Sequence, residues 1–359
     1  MRQIKLFTLI ILFVWVFTII PQSVESEQRV KTKFSMGLNL KEYPLPENAI
    51  ELELKFFFPT KDMEEEEIYL WSPVRIVQDS SGNIYVSDQK RHAVMCFDSS
   101  GKFIRKIGQQ GQGPGDFSTP GAIFVTKDHL VVREIENSRF QYLDLEGKYL
   151  RSFKVFREYY CFIIDENDLV IGAPLLYSRN NVRNLIDVLS PEGKLLYSFG
   201  EPLIFKHDSL ILNRLKLGLN KKGELFVAFR LFPIVRKYSH KGELLAEYRI
   251  ENKTMDDKVE FNKRMISIRP KQRAMYASCI YDIQVVDDAV YLFHFDEVSR
   301  FEILEIDQEG KIKNTYYWKT EGYTSREFLV WKNGEEKIFY ILNRAQDRID
   351  VLGQKPTGH

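Results

Sequence analysis

Short apolar runs alternate with turn-forming clusters along most of the chain. Residues 76–108, IVQDSSGNIYVSDQKRHAVMCFDSSGKFIRKIG, contain four such runs. Asp79-Ser80-Ser81-Gly82 and Asp98-Ser99-Ser100-Gly101 separate them with tight-turn chemistry. The segments NIYVSD and AVMCFD carry β-branched and aromatic residues at strand length, so the unit predicts four antiparallel strands.

The second half of this unit recurs. FDSSGKFIRKIG (97–108) is echoed by LDLEGKYLRSF (143–153), LSPEGKLLYSFG (189–200), YSHKGELLAEYRI (238–250) and IDQEGKIKNTYYW (306–318). The turn glycines Gly101, Gly147, Gly193, Gly242 and Gly310 are 46, 46, 49 and 68 residues apart. The first half recurs at 125–134, 164–173, 220–229, 285–294 and 331–342. The pattern therefore contains six inner hairpins and five outer ones. The alternating run IELELKFF (50–57) predicts the missing outer strand, completing a last unit with strands near 326–332, 337–342 and 348–352. A unit of this size cannot bury both faces alone, whereas stacking in a ring buries them and removes the open edge. The expectation is an all-β, six-bladed propeller of four-stranded blades over 50–353, closed by its N-terminal strand. Residues 251–278 exceed the repeat and predict a short helix, serving either as a lid over a ligand or as a plain insertion.

The segment GQGPGDFSTPGAIFV (111–125) resembles the linker and inner strand of NHL-repeat propellers. Asn137-Ser138-Arg139-Phe140-Gln141-Tyr142 is similar to their third strand, and Gln346-Asp347-Arg348-Ile349-Asp350 is a weaker copy. The resemblance is strong over 74–153 and degenerate over 160–350. It points to exported bacterial six-bladed propellers, a fold that hosts binding scaffolds, lyases and gluconolactonase-type hydrolases. In that pattern Phe117 plugs between blades and Pro120 opens a strand where no N–H is needed. GQQGQGPG lacks the Gly-Lys-Ser/Thr ending of a phosphate loop.

Composition narrows the function classes. The 359 residues are 44% hydrophobic and 13% aromatic, which suits a packed β protein. Lys and Arg total 51 against 50 acids, so there is no basic field for nucleic acid. Cys96, Cys161 and Cys279 lie in apolar runs and read as buried free thiols. Residues 1–26 carry Arg2 and Lys5 before a run from Leu6 to Ile20, the pattern of a cleaved export signal or a short uncleaved anchor. Residues 27–49 then form a linker and 354–359 a tail. The expected location is extracytoplasmic, periplasmic or secreted, with any membrane contact made only through that anchor.

No enzyme signature emerges. There is no Gly-x-Ser-x-Gly elbow, and the histidines show no ligand spacing. Asp79, Asp165, Asn220 and Asp287 end inner strands, where turn chemistry alone accounts for them. The acidic run Glu64-Glu65-Glu66-Glu67 reads as a solvated loop. Neither a metal site nor a cofactor is expected, a divalent metal being left open. The suggestive set is basic: Arg91, His92, Arg139, Arg179, Arg183, Arg230, Arg300 and Arg348 fall in loops that open on one face. They read either as a funnel for an anionic small molecule or protein segment, or, with Arg139 and Arg348 in the structural Arg position of the resembled repeat, as arginines paired with neighbouring acids such as Glu134, Glu136 and Asp347. The expected protein is a monomeric, non-enzymatic binding scaffold with its site at the channel mouth. The alternative is a hydrolase or lyase at the same mouth.

Overall fold

Most of the repeated turns close by the same side-chain device. Asp79 accepts hydrogen bonds at Oδ1 from the backbone N–H of Ser81 (2.9 Å) and Asn83 (2.8 Å). Asp98, Asp165 and Asp307 do the same, and Ser190 and Ser239 use a hydroxyl. The short side chain thus replaces ladder partners where the strands diverge.

The computed structural model describes residues 43–155, 157–174, 183–205, 209–267, 276–296, 300–319, 327–334 and 336–356. They belong to one compact unit, Leu40–His359. The proposed leader, residues 1–26, lies outside the described residues, as does Arg179.

Blade 1 is β2 (Pro73–Gln78), β3 (Ile84–Asp88), β4 (Ala93–Phe97) and β5 (Phe103–Ile107). Blade 2 is β6 (Pro120–Val125), β7 (Leu130–Glu134), β8 (Arg139–Leu143) and β9 (Tyr149–Lys154). Blade 3 is β10 (Tyr159–Ile164), β11 (Val170–Pro174), β12 (Ile186–Leu189) and β13 (Leu195–Phe199). Blade 4 is β14 (Leu215–Leu219), β15 (Leu225–Phe229), β16 (Ile234–Tyr238) and β17 (Leu244–Arg249). Blade 5 is β18 (Asp282–Val286), β19 (Ala289–Phe295), β20 (Arg300–Ile306) and β21 (Ile312–Lys319). Blade 6 is β22 (Phe328–Asn333), β23 (Glu336–Asn343), β24 (Arg348–Gln354) and, outermost, β1 (Ile50–Phe58).

The inner strands β2, β6, β10, β14, β18 and β22 contact one another in turn, and β22 meets β2 to close the ring. β1 runs antiparallel to β24, with Leu52 opposite Gln354 and Phe58 opposite Ile349. It also touches β21 in parallel, Ile50 opposite Tyr316. The N-terminal closure predicted from the alternation at 50–57 is therefore present.

The turn glycines do more than turn. A Cβ on Gly310, at φ +81°, would lie 2.4 Å from the Tyr248 ring and 2.6 Å from Tyr248 Cβ. Gly101 meets Phe58, Gly147 meets Ile107, Gly193 meets Phe153 and Gly242 meets Phe199 with the same closeness. In every case the partner sits on the outermost strand of the preceding blade, so the repeat glycine seats one blade against the next. Phe117 is fully buried between blades 1 and 2, and Pro120 opens β6, as the linker pattern implied.

The excursion is a docked helix, Lys253–Ser267. Met255 and Val259 join the core of blades 3 to 5. Asn262, fully buried, donates to the Leu231 and Ala277 carbonyls (3.0 and 2.8 Å) and accepts from the Ala277 N–H (2.8 Å). Lys258 donates to the Ser278 and Phe295 carbonyls (3.0 and 2.6 Å). Six buried residues on this helix hold it as part of the body, which favours insertion over lid.

Candidate functional site

A propeller channel has two ends. At one, the hairpin end, lie the turns between first and second strands and between third and fourth. At the other, the loop end, lie the second-to-third connections and the crossings between blades. The inner strands start at the loop end, and three of them carry a charge within their first three residues. Arg75 stands on β2, Lys216 on β14 and Asp282 on β18, while Glu327 directly precedes β22.

These four side chains meet across the channel. Lys216 Nζ is 3.2 Å from Asp282 Oδ1 and 2.7 Å from Glu327 Oε1. Arg75 Nη1 is 3.3 Å from Asp282 and also binds Glu327. Blades 1 and 4 are opposite in a six-membered ring, so Arg75 and Lys216 reach the same two carboxylates from opposite walls. The result is an ionic crosspiece near the loop end. Burial opposes ionisation of Asp282, but Lys216, Arg75 and the Ile283 N–H outweigh it and hold its carboxyl below the ordinary range. Burial likewise opposes the charge on Arg75, and Glu327 and Asp282 more than restore it. On blade 3, Tyr160 accepts from the Leu215 N–H at 2.8 Å and the Cys161 thiol donates to the Leu215 carbonyl at 3.5 Å.

Toward the hairpin end the channel widens into a chamber of about 520 Å³. Val77, Phe124, Ile163, Leu217, Ile283 and Leu329 wall it, one from each blade. Arg75 is the one member of the crosspiece that lines it. The rim is polar: Asp79, Asn220, Lys221, Asp287 and Lys332, with Trp331 beside them. Asp287 bridges Lys221 (3.0 Å) and Lys332 (3.3 Å), and these bonds lower its carboxyl pKa. Asp79, Asp165 and Asn220 are occupied by their own turns, as turn chemistry predicted. Among the described residues no group of three or more His, Cys, Asp or Glu is placed to hold a metal ion.

The described arginines singled out in the sequence lie at the loop end, and all but Arg183 are engaged locally. Arg139 pairs with buried Glu134 and donates to the carbonyls of Gln112 (2.9 Å), Gly113 (2.9 Å) and Asp116 (3.1 Å), clamping the glycine-rich linker. Arg300, 4% exposed, pairs with Glu302 at 2.9 Å and donates to the Tyr43 carbonyl at 2.8 Å. Arg348 pairs with Asp350 at 2.7 Å and lies over Phe57. Arg91 stacks on Tyr69, His92 bonds the Ser118 carbonyl, and Arg230 donates to Ser278 Oγ at 3.3 Å. Arg183 is exposed. Arg139 thus pairs with the neighbouring Glu134, whereas the partner of Arg348 is Asp350 rather than the expected Asp347. The three thiols are free, and burial pushes Cys96 up to about 11 and Cys161 and Cys279 up to about 12. The crosspiece escaped the sequence reading. Its signal was a single charge near the start of three apolar inner strands, in PVRIVQ, LKLGL and DIQVV.

Residues 63–196 match a family model described as a 6-bladed beta-propeller. Among the described residues, the strands between Ile50 and Gln354 form the six blades of such a propeller. Among similar solved structures is a Bacteroides fragilis protein described as exported, at 12% identity and a TM-score of 0.57, covering 89% of this chain and 98% of that one. A member of the DUF4221 family from Bacteroides vulgatus gives 10% identity, a TM-score of 0.55, and coverage of 86% and 98%. The PQQ-bound aldose sugar dehydrogenase of Streptomyces coelicolor gives 12%, 0.50, 87% and 100%. Identity this low carries the fold and leaves the chemistry to this chain's own residues. No curated protein matches the sequence. Among the described residues no helix is long and apolar enough to cross a membrane.

Proposed function

We propose that this chain is an extracytoplasmic binding module, and that its ligand enters the central channel from the hairpin end. One observation carries the reading. The channel is bridged by charges near its loop end and opens at the other into an apolar-walled chamber with a polar rim. A chamber of about 520 Å³ lies in the range of small-molecule sites. The ionisable groups around it are paired, Asp287 with two lysines and Asp79 within its turn, which favours binding over acid–base catalysis. Export rests on the leader-like pattern of residues 1–26 and agrees with the exported neighbour.

The test is a thermal-shift screen of uncharged and charged small molecules on the purified protein and on Leu217→Trp, which fills the chamber from its wall. Hits on the parent protein that vanish in the variant support the reading. Hits unchanged by Leu217→Trp, or confined to anions and abolished by Arg91→Ala, would move the site to the loop end. Bound metal in stoichiometric amount, with a fall in Tm on chelation, would instead favour the hydrolase or lyase alternative.

A further inference from the structure

We infer that the chamber selects an uncharged molecule with an apolar body whose leading end is a hydrogen-bond acceptor, a carbonyl or amide, directed at Arg75. This rests on the chamber reading above and adds the ligand's chemistry.

Charge comes first. Arg75 and Lys216 face Asp282 and Glu327, so the floor sums to zero. The rim balances too, Lys221 and Lys332 against Asp287 and Asp79. A carboxylate or ammonium entering the chamber would give up hydration without meeting a net field of opposite sign.

Hydrogen-bond capacity comes second. Arg75 meets both carboxylates through Nη1, which leaves Nε and Nη2 of the fork uncommitted among the described residues. A guanidinium has five donor hydrogens and no acceptor. Asp282, by contrast, is 1% exposed, spent on Arg75, Lys216 and the Phe328 N–H, and does not line the chamber. The floor therefore offers donors and asks for an acceptor. Between floor and rim stands the six-blade apolar belt, which sets the body of the ligand.

The probes are three naphthalenes of similar size: prodan, which is neutral and carries one ketone; its ketone-free dimethylamino parent; and naphthoate. Fluorescence titration of the full protein is expected to rank prodan at least about tenfold tighter than both others. In Arg75→Lys, which keeps the charge on the two acids but loses the fork, prodan should fall to the affinity of the parent while the parent is unchanged. Naphthoate binding as tightly as prodan, or a ketone advantage that survives Arg75→Lys, would overturn the inference and leave the chamber in place. Failure of all three to bind, or binding untouched by Leu217→Trp, would overturn the chamber reading itself. Should Arg75→Lys not fold, the ranking on the parent protein still decides.

Discussion

At the scale of single residues, the turn glycines carry two demands at once. Gly310 needs positive φ and has the Tyr248 side chain where a Cβ would stand. Gly334 also has positive φ, +63°, but nothing lies within 4 Å of its would-be Cβ. Gly334→Ala should therefore cost about 1 kcal/mol, the left-handed backbone alone. Gly310→Ala should cost about 2–4 kcal/mol, because overpacking adds to it. Urea unfolding of the two variants measures the difference, and equal losses would remove the blade-seating role. The turn was legible in the sequence from Asp, Ser and Gly at fixed offsets. The partner was not, since Tyr248 belongs to another blade and only stacking brings it to Gly310.

At the scale of elements, burial changes along one face of β1, where Phe56 and Phe58 lie side by side. Phe58 is buried against Phe97, with ring centroids 5.0 Å apart, and closes over Gly101 of blade 1. Phe56, on the same strand, is 37% exposed. Phe58→Ala should destabilise by about 3–5 kcal/mol through the cavity it leaves at the ring's closure. Phe56→Ala should stay within about 1 kcal/mol. Denaturant midpoints check both, and a small loss at Phe58 would show that the ladder to β24 closes the ring without side-chain packing. The alternation of IELELKFF foretold the strand and its place. The helix Lys253–Ser267 was foreseen only as an element. Its docking through Asn262 and Lys258 depends on carbonyls from distant loops that the sequence does not bring together.

At the scale of the whole molecule, the crosspiece ties blades 1, 4, 5 and 6 through one buried carboxylate. Asp282→Asn leaves Arg75 and Lys216 under-compensated and should cost about 3 kcal/mol. It should also change the acid limb of stability. Because the folded carboxyl sits below its ordinary value of 3.8, its contribution is complete above that pH and is lost as pH falls through the lower folded value. The parent protein should therefore lose stability more steeply than Asp282→Asn below about pH 4. Parallel curves from urea midpoints taken between neutral and strongly acidic pH would mean that the crosspiece adds no acid-labile stability.

The sequence by itself determined the repeat, and through it the six blades, the four strands in each and the closing β1. These follow from local periodicity and turn chemistry, which act within a few residues. For Arg139 and Arg348 it left a ligand funnel and a structural pairing side by side, and the packed structure supplies their partners, Glu134 and Asp350. The crosspiece and the chamber were decided only by the tertiary structure. Arg75, Lys216, Asp282 and Glu327 lie far apart in the chain, and each alone reads as an ordinary strand-end charge. Ring closure sets blade 1 opposite blade 4, and that geometry turns four scattered charges into one neutral floor with spare donors.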